Sequence, residues 1–245
     1  MAITIAVSGK GGSGKTTLAA LIIRKLIESK SGPILAVDAD PNACLGLTLG
    51  VEVEGHVSDL REQARNKEPS NGGMDRVSTF EYGLNGVITE AKGVDLVTMG
   101  RPEGPDCYCA ANNLLRRFLD KMTTQYTFVV LDNEAGMEHL SRRTTNHVDL
   151  LLMVSEPSPI GRVTAQRIVT LVNSLPIDIR QKGVLWNRCD SPEQLDDIET
   201  LGAIGQDPTI LEACNQGKTI FDVDAECPAL SVVQQILQDK LSITV

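Results

Sequence analysis

Two short stretches of this chain carry residue types spaced for chemistry. In the first, AVSGKGGSGKTTL over residues 6–18, Gly9, Gly14, Lys15 and Thr16 satisfy the spacing G-x-x-x-x-G-K-[ST]. Glycines at those places free backbone N–H groups to converge on phosphate oxygens. Lys15 supplies a cation for the β- and γ-phosphates, and the Thr16 hydroxyl can bind Mg2+ where a helix begins. The nucleotide contacts expected here run through Gly9, Lys10, Gly11, Gly12, Ser13, Gly14, Lys15, Thr16 and Thr17. In the second stretch, GPDCYCAANN over 104–113, Cys107 and Cys109 stand one residue apart after a Gly-Pro pair. Two thiols so placed can aim both sulfurs at one point. Soft divalent metals in thiolate sites take four ligands, so the pair is half a site that a second chain would complete. Square-planar sulfur coordination suits Ni2+ and tetrahedral coordination suits Zn2+, and the residues alone leave that choice open.

These groups need a rigid frame, and the apolar pattern describes one. Continuous runs rich in Val, Ile and Leu recur at 3–7, 34–38, 94–99, 128–132, 149–155 and 183–187. Runs of this kind suit strands buried on both faces. Between them, helical periodicity is clearest at 15–29, where Leu18, Leu21, Ile22 and Leu26 form a stripe, and at 112–122, 160–174 and 229–241. The expected architecture is α/β and doubly wound, with a mostly parallel central sheet of about seven strands flanked by helices. The 245 residues are expected to form one phosphate-loop domain, 1–245. The polar stretch 62–80 reads as a surface excursion, and there is no internal repeat. The phosphate loop then falls between a strand and a helix, as its mechanism requires.

Composition narrows the partners. A net charge of −9 provides no basic face for counterion release, so nucleic acid is not expected. The apolar N-terminal segment is too short for a secretory signal, and no later run approaches the roughly 20 apolar residues of a membrane span. A cytoplasmic protein with reduced thiols is expected. Cys44, Cys189, Cys214 and Cys227 are too scattered for a ligand set, and His56, His139 and His147 fall in no zinc-finger spacing. All seven read as structural or surface residues.

Lys10, directly after the first glycine, makes the loop resemble the deviant phosphate loop K-G-G-x-G-K-T-T. That loop belongs to the ATPase superfamily of nitrogenase iron protein, Mrp-type scaffold ATPases and the MinD- and ParA-type positioning ATPases. The resemblance implies an ATP- and Mg2+-dependent homodimer in which Lys10 crosses to phosphates held by the partner. A second cation there would stabilise charge developing in phosphoryl transfer. It also implies roles for the carboxylates of VDADPNACLG and FVVLD. Asp40 would position or activate the attacking water, Asp38 would lie close to the Mg2+ shell, and Asp132 would be the strand-end acid near the metal. Lys10, Lys15, Asp40 and Asp132 are thus the catalytic candidates. Gly136 in DNEAG would sense the γ-phosphate, and Asn187 and Arg188 after GVLWN would read the adenine. The loop GAIGQD (202–207) has Gly205 where the superfamily usually has proline, which leaves its base contact open.

Within that superfamily, MGRPEGPDCYCAANNLLRR (99–117), DNEAG and DADPNACLG look like the nickel-insertion ATPases of the CooC/AcsF type. Those proteins mature carbon monoxide dehydrogenase and acetyl-CoA synthase. The resemblance implies Ni2+ as cargo on Cys107 and Cys109 of both subunits, with Zn2+ as an alternative occupant. Arg101, Arg116 and Arg117 would favour the thiolates if they face the loop. Two alternatives stand beside this reading. An iron–sulfur carrier of the Mrp or nitrogenase-iron-protein type would use widely separated cysteines or C-x-x-C, which this chain lacks in comparable places. A MinD- or ParA-like positioning ATPase would need a basic amphipathic C-terminal helix or basic surface clusters.

Overall fold

The computed structural model describes residues 2–60, 83, 86–100, 122, 124–133, 147–192 and 194–243. Cys107, Cys109, Gly136, His139, Arg101, Arg116, Arg117 and the segments 62–80 and 112–121 lie outside the described residues.

The strands are β1 (Ile3–Gly9), β2 (Ile34–Asp38), β3 (Ile88–Ala91), β4 (Val94–Thr98), β5 (Phe128–Asp132), β6 (His147–Ser155), β7 (Asp178–Asn187) and β8 (Thr200–Ile204). They form a sheet in the order β3-β4-β2-β5-β1-β6-β7-β8. Every pairing is parallel except that of β3 with β4. The helices, numbered along the chain, are α1 (Lys15–Glu28), α2 (Leu45–Leu49), α3 (Pro159–Ser174), α4 (Pro208–Asn215) and α5 (Pro228–Leu241), with a 3-10 turn at Ile220–Asp222. The sheet has eight strands where about seven were expected. Of the strands not anticipated, β3 and β8 lie at the two edges. ITEA carries a charge and TLGAI a glycine, and an edge strand needs no unbroken apolar run.

Strand alternation divides the interior into two layers. Ile5, Val7, Ile34, Ala36, Phe128 and Val130 pack on the side of α1 and α5. Ala6, Leu35, Val37, Val129 and Leu131 pack on the side of α3. The expected stripe of α1 is buried, and Ala19, Ala20 and Ile23 are buried with it, because α5 packs beside α1 on the same face of the sheet. Arg24, only 4 % exposed, spans from α1 to the 3-10 turn. Its Nη1 donates to the carbonyls of Ile220 at 2.8 Å and Val223 at 2.7 Å, and its Nε to Glu28 at 2.7 Å.

Candidate nucleotide site

The site follows from strand parity. Residues 34, 36 and 38 of β2 face α1, as do 128, 130 and 132 of β5, so Asp38 and Asp132 end their strands on the same face. Register sets them side by side: Asp38 pairs with Asp132 across β2–β5, and Asp132 pairs with Val7 across β1–β5. The chain leaves β1 two residues beyond Val7 and enters the glycine loop. Both carboxylates are thereby held at the carboxyl ends of parallel strands, beside the start of α1, where open α/β sheets bind ligands.

The loop has the conformation its glycines allow. Gly14 is the N-cap of α1 with φ 96° and ψ 20°, a left-handed geometry that L side chains rarely adopt. It offers α1 no side-chain cap, whereas α3 and α4 are closed by Ser158 and Asp207. The first N–H groups of α1 are therefore left for an anion. Lys15 is buried at 6 % exposure and its Nζ reaches back to the Lys10 carbonyl at 3.3 Å, spanning the loop. Lys10 itself is exposed at the loop tip.

The acids play unequal parts. Asp38 is fully buried, and its oxygens accept the Leu45 N–H at 2.8 Å and the Asp40 N–H at 3.2 Å. It anchors the turn that leads into α2. Burial pushes its carboxyl up to about 6 despite those two donors. Asp40 lies past the strand end and turns into its own loop, where its Oδ1 accepts from Asn42 N at 2.9 Å and Nδ2 at 2.8 Å. Asp132 is 1 % exposed, and neither oxygen has a well-formed hydrogen bond among the described residues. Burial pushes its carboxyl up to about 7; the neighbouring Thr16 hydroxyl and Lys15 pull it down, and Asp38 and Asp40 raise it further.

A buried carboxylate with both oxygens open is the donor expected of a divalent cation site. With Thr16 at the start of α1 and Asp38 adjacent, these residues fit Mg2+ that takes its remaining ligands from phosphates and water. Its chemistry would be to neutralise phosphate charge. Among the described residues no group of three or more His, Cys, Asp and Glu side chains is placed to hold a metal ion by itself.

A cavity of about 270 Å3 opens beside Gly14 and Thr17. Leu18, Leu21, Val154 and Leu185 make its apolar wall, while Asn187, Arg188 and the segment Gly205–Asp207 form its polar rim. An apolar slot with a few polar edge groups suits a flat heterocycle. The structure thus brings Asn187, Arg188 and the second half of the 202–207 stretch to one place: residues 202–204 belong to β8, and Ile204, Gly205, Gln206 and Asp207 line the cavity. Arg188 has φ 56°, and its guanidinium pairs with Glu156 at 2.5 Å. Sequence reasoning missed the third side of the cavity, Ile210, Leu211 and Cys214 of α4; their i, i+1, i+4 spacing marks one helix face. It also missed Asn133, whose Nδ2 donates to the Val7 carbonyl at 3.0 Å and ties β5 to β1. His147 lies at the opposite end of β6, bonded to Asp178 at 2.8 Å and Asp149 at 3.2 Å, which is a structural role.

Residues 4–220 match the family described as the CobQ/CobB/MinD/ParA nucleotide binding domain. The chain belongs to that family. It is accordingly an ATPase domain of the MinD/ParA kind, with the α/β sheet expected from its sequence. One relative, an uncharacterized ATP-binding protein of Methanocaldococcus jannaschii, is 44% identical over 75% of this chain and 74% of its own. The carbon monoxide dehydrogenase accessory protein CooC of Rhodospirillum rubrum is 30% identical over 91% of each chain. Among solved structures, the septum site-determining protein MinD of Pyrococcus horikoshii, complexed with Mg-ADP, superposes with a TM-score of 0.70. It covers 99% of this chain and 98% of its own at 22% identity, a likeness of fold. No helix among the described residues is long and apolar enough to cross a membrane.

Proposed function

We propose that this ATPase is a metal-delivery factor. It binds Ni2+ as cargo between two copies of itself and inserts it into the active-site cluster of carbon monoxide dehydrogenase or acetyl-CoA synthase. The observation that carries the reading is the C-x-C pair Cys107/Cys109 in a chain related over 91% of its length to a carbon monoxide dehydrogenase accessory protein. Two thiolates from each subunit make a four-sulfur site, in which Zn2+ can replace Ni2+. In this reading residues 1–245 act as one domain. Lys15 and the loop glycines hold ATP, Asp132 and Thr16 hold Mg2+, and Asp40 positions the attacking water. Gly136 senses the γ-phosphate, and Lys10 reaches the partner's nucleotide. Closure of the ATP-bound dimer brings the sulfur pairs together, and hydrolysis separates them.

The test is titration with Ni2+, with and without ATP, read beside the oligomeric state. The parent is expected to bind about one Ni2+ per dimer. Cys107→Ser combined with Cys109→Ser should abolish that binding and leave ATP binding intact; unchanged metal stoichiometry refutes the assignment. Lys10→Ala should lose ATP-dependent dimerisation. A brown anaerobic preparation with about four irons per dimer would favour the iron–sulfur alternative.

The fold likeness to MinD supports a second reading, a positioning ATPase. Membrane attachment through the last described helix is disfavoured, because Ala229, Leu230, Val233, Ile236 and Leu237 of α5 are buried in the core. Co-sedimentation of the ATP-bound protein with liposomes or DNA would favour this second reading over metal delivery.

A further inference from the structure

Asn187 has a second engagement that reading a base does not require. It is the last residue of β7 and half-buried. Its Nδ2 donates to the Ser13 carbonyl at 2.8 Å, and its Oδ1 accepts the Arg188 N–H at 3.0 Å. The first of these bonds joins the strand end to the peptide at which the phosphate loop becomes α1. A trans peptide carries its C=O and N–H on opposite sides of one plane. Holding the Ser13 carbonyl toward β7 therefore turns the Gly14 N–H away from β7, as one of the donors that the loop directs at phosphate.

The contact is close on both sides. A Cβ on Gly14 would lie 2.3 Å from Asn187 Nδ2, so glycine is needed here for the approach of the amide as well as for φ 96°. The amide also borders the apolar cavity, and it retains one N–H and one lone pair on Oδ1 for an occupant of that cavity.

We propose that Asn187 is a positioning residue: its amide sets the Ser13–Gly14 peptide for phosphate binding and links that setting to the occupant of the base cavity. The proposal rests on the nucleotide site and is independent of the cargo metal.

The test separates phosphate from base. The parent, Asn187→Ala and Asn187→Ser are titrated calorimetrically with Mg2+ plus ATP, and with Mg2+ plus inorganic tripolyphosphate, which has neither base nor sugar. Serine keeps a polar group at the strand end but is too short to reach Ser13, so it answers the question if the alanine variant folds poorly. Thermal melting of the empty proteins checks the fold. Loss of one such hydrogen bond corresponds to about a five- to tenfold loss of affinity. The variants should lose tripolyphosphate affinity by about that factor, and ATP affinity at least as far. Tripolyphosphate affinity equal to the parent's overturns the proposal, whatever happens to ATP. A parent that binds ATP but no tripolyphosphate overturns it as well, because the loop would then not be set without a base. A parent that binds neither would instead refute the nucleotide site itself.

Discussion

Replacing Asp132 with Asn should stabilise the empty protein at alkaline pH while removing its Mg2+-dependent ATP hydrolysis. The Asp132 carboxyl, buried beside Asp38, has its pKa pushed up to about 7 from an ordinary 3.8. Between those values the folded protein keeps a proton that the unfolded chain has released. Stability therefore falls as pH rises through that window and levels off above it. From about pH 5 to about pH 8 the fall covers roughly two units at about 1.4 kcal/mol each, or roughly 3 kcal/mol. Asn stays neutral throughout, so the difference in unfolding free energy between variant and parent should move by that amount in the variant's favour. An unpaired buried amide takes back roughly 1 kcal/mol at every pH, which shifts the offset and leaves the slope. Comparing the two proteins also cancels groups of opposite sign, such as Asp149, whose pKa is lowered: burial alone would raise it, but the Thr4 N–H, His147 and Arg180 outweigh burial. The assay is urea unfolding of both proteins in chelator, without nucleotide, across this range. A difference that does not change with pH would refute the reasoning, because Asp132 would then be ionised in the fold at no cost.

Gly14→Ala forces a left-handed φ of 96° on a β-carbon and sets that carbon 2.3 Å from Asn187 Nδ2. It should cost roughly 2 kcal/mol of stability by urea unfolding and weaken ATP binding at least tenfold by calorimetry. Arg24→Ala leaves the Ile220 and Val223 carbonyls without their buried cationic donor. It should lower stability by roughly 3 kcal/mol in the same unfolding assay, with nucleotide affinity at sub-denaturing temperature little changed.

Much of the frame was legible because burial on both faces leaves a plain mark. The six apolar runs all became strands, since a central parallel strand has no solvent side on which to place polar residues. The start of β7 escaped notice because DIRQK lies on its more exposed half. The phosphate loop was legible because its requirements are local. Backbone torsion at glycine, a lysine and a hydroxyl at a helix start all lie within one short segment.

What sequence alone determined here is local: the glycine loop at the start of a helix, the acids at the strand ends, and the apolar runs that make a doubly wound sheet. What only the tertiary structure decided is how distant segments divide the work. The resemblance gives Asp38 and Asp40 neighbouring roles, yet cross-strand register pairs Asp38 with Asp132, ninety-odd residues away, while Asp40 bonds into its own turn. The resemblance makes Asn187 a base contact, but its bond to Ser13 crosses 174 positions. No local pattern encodes that distance. Register, parity and the closing of α4 over the cavity arise when the sheet assembles, because hydrogen-bond pairing and burial select partners by position in space.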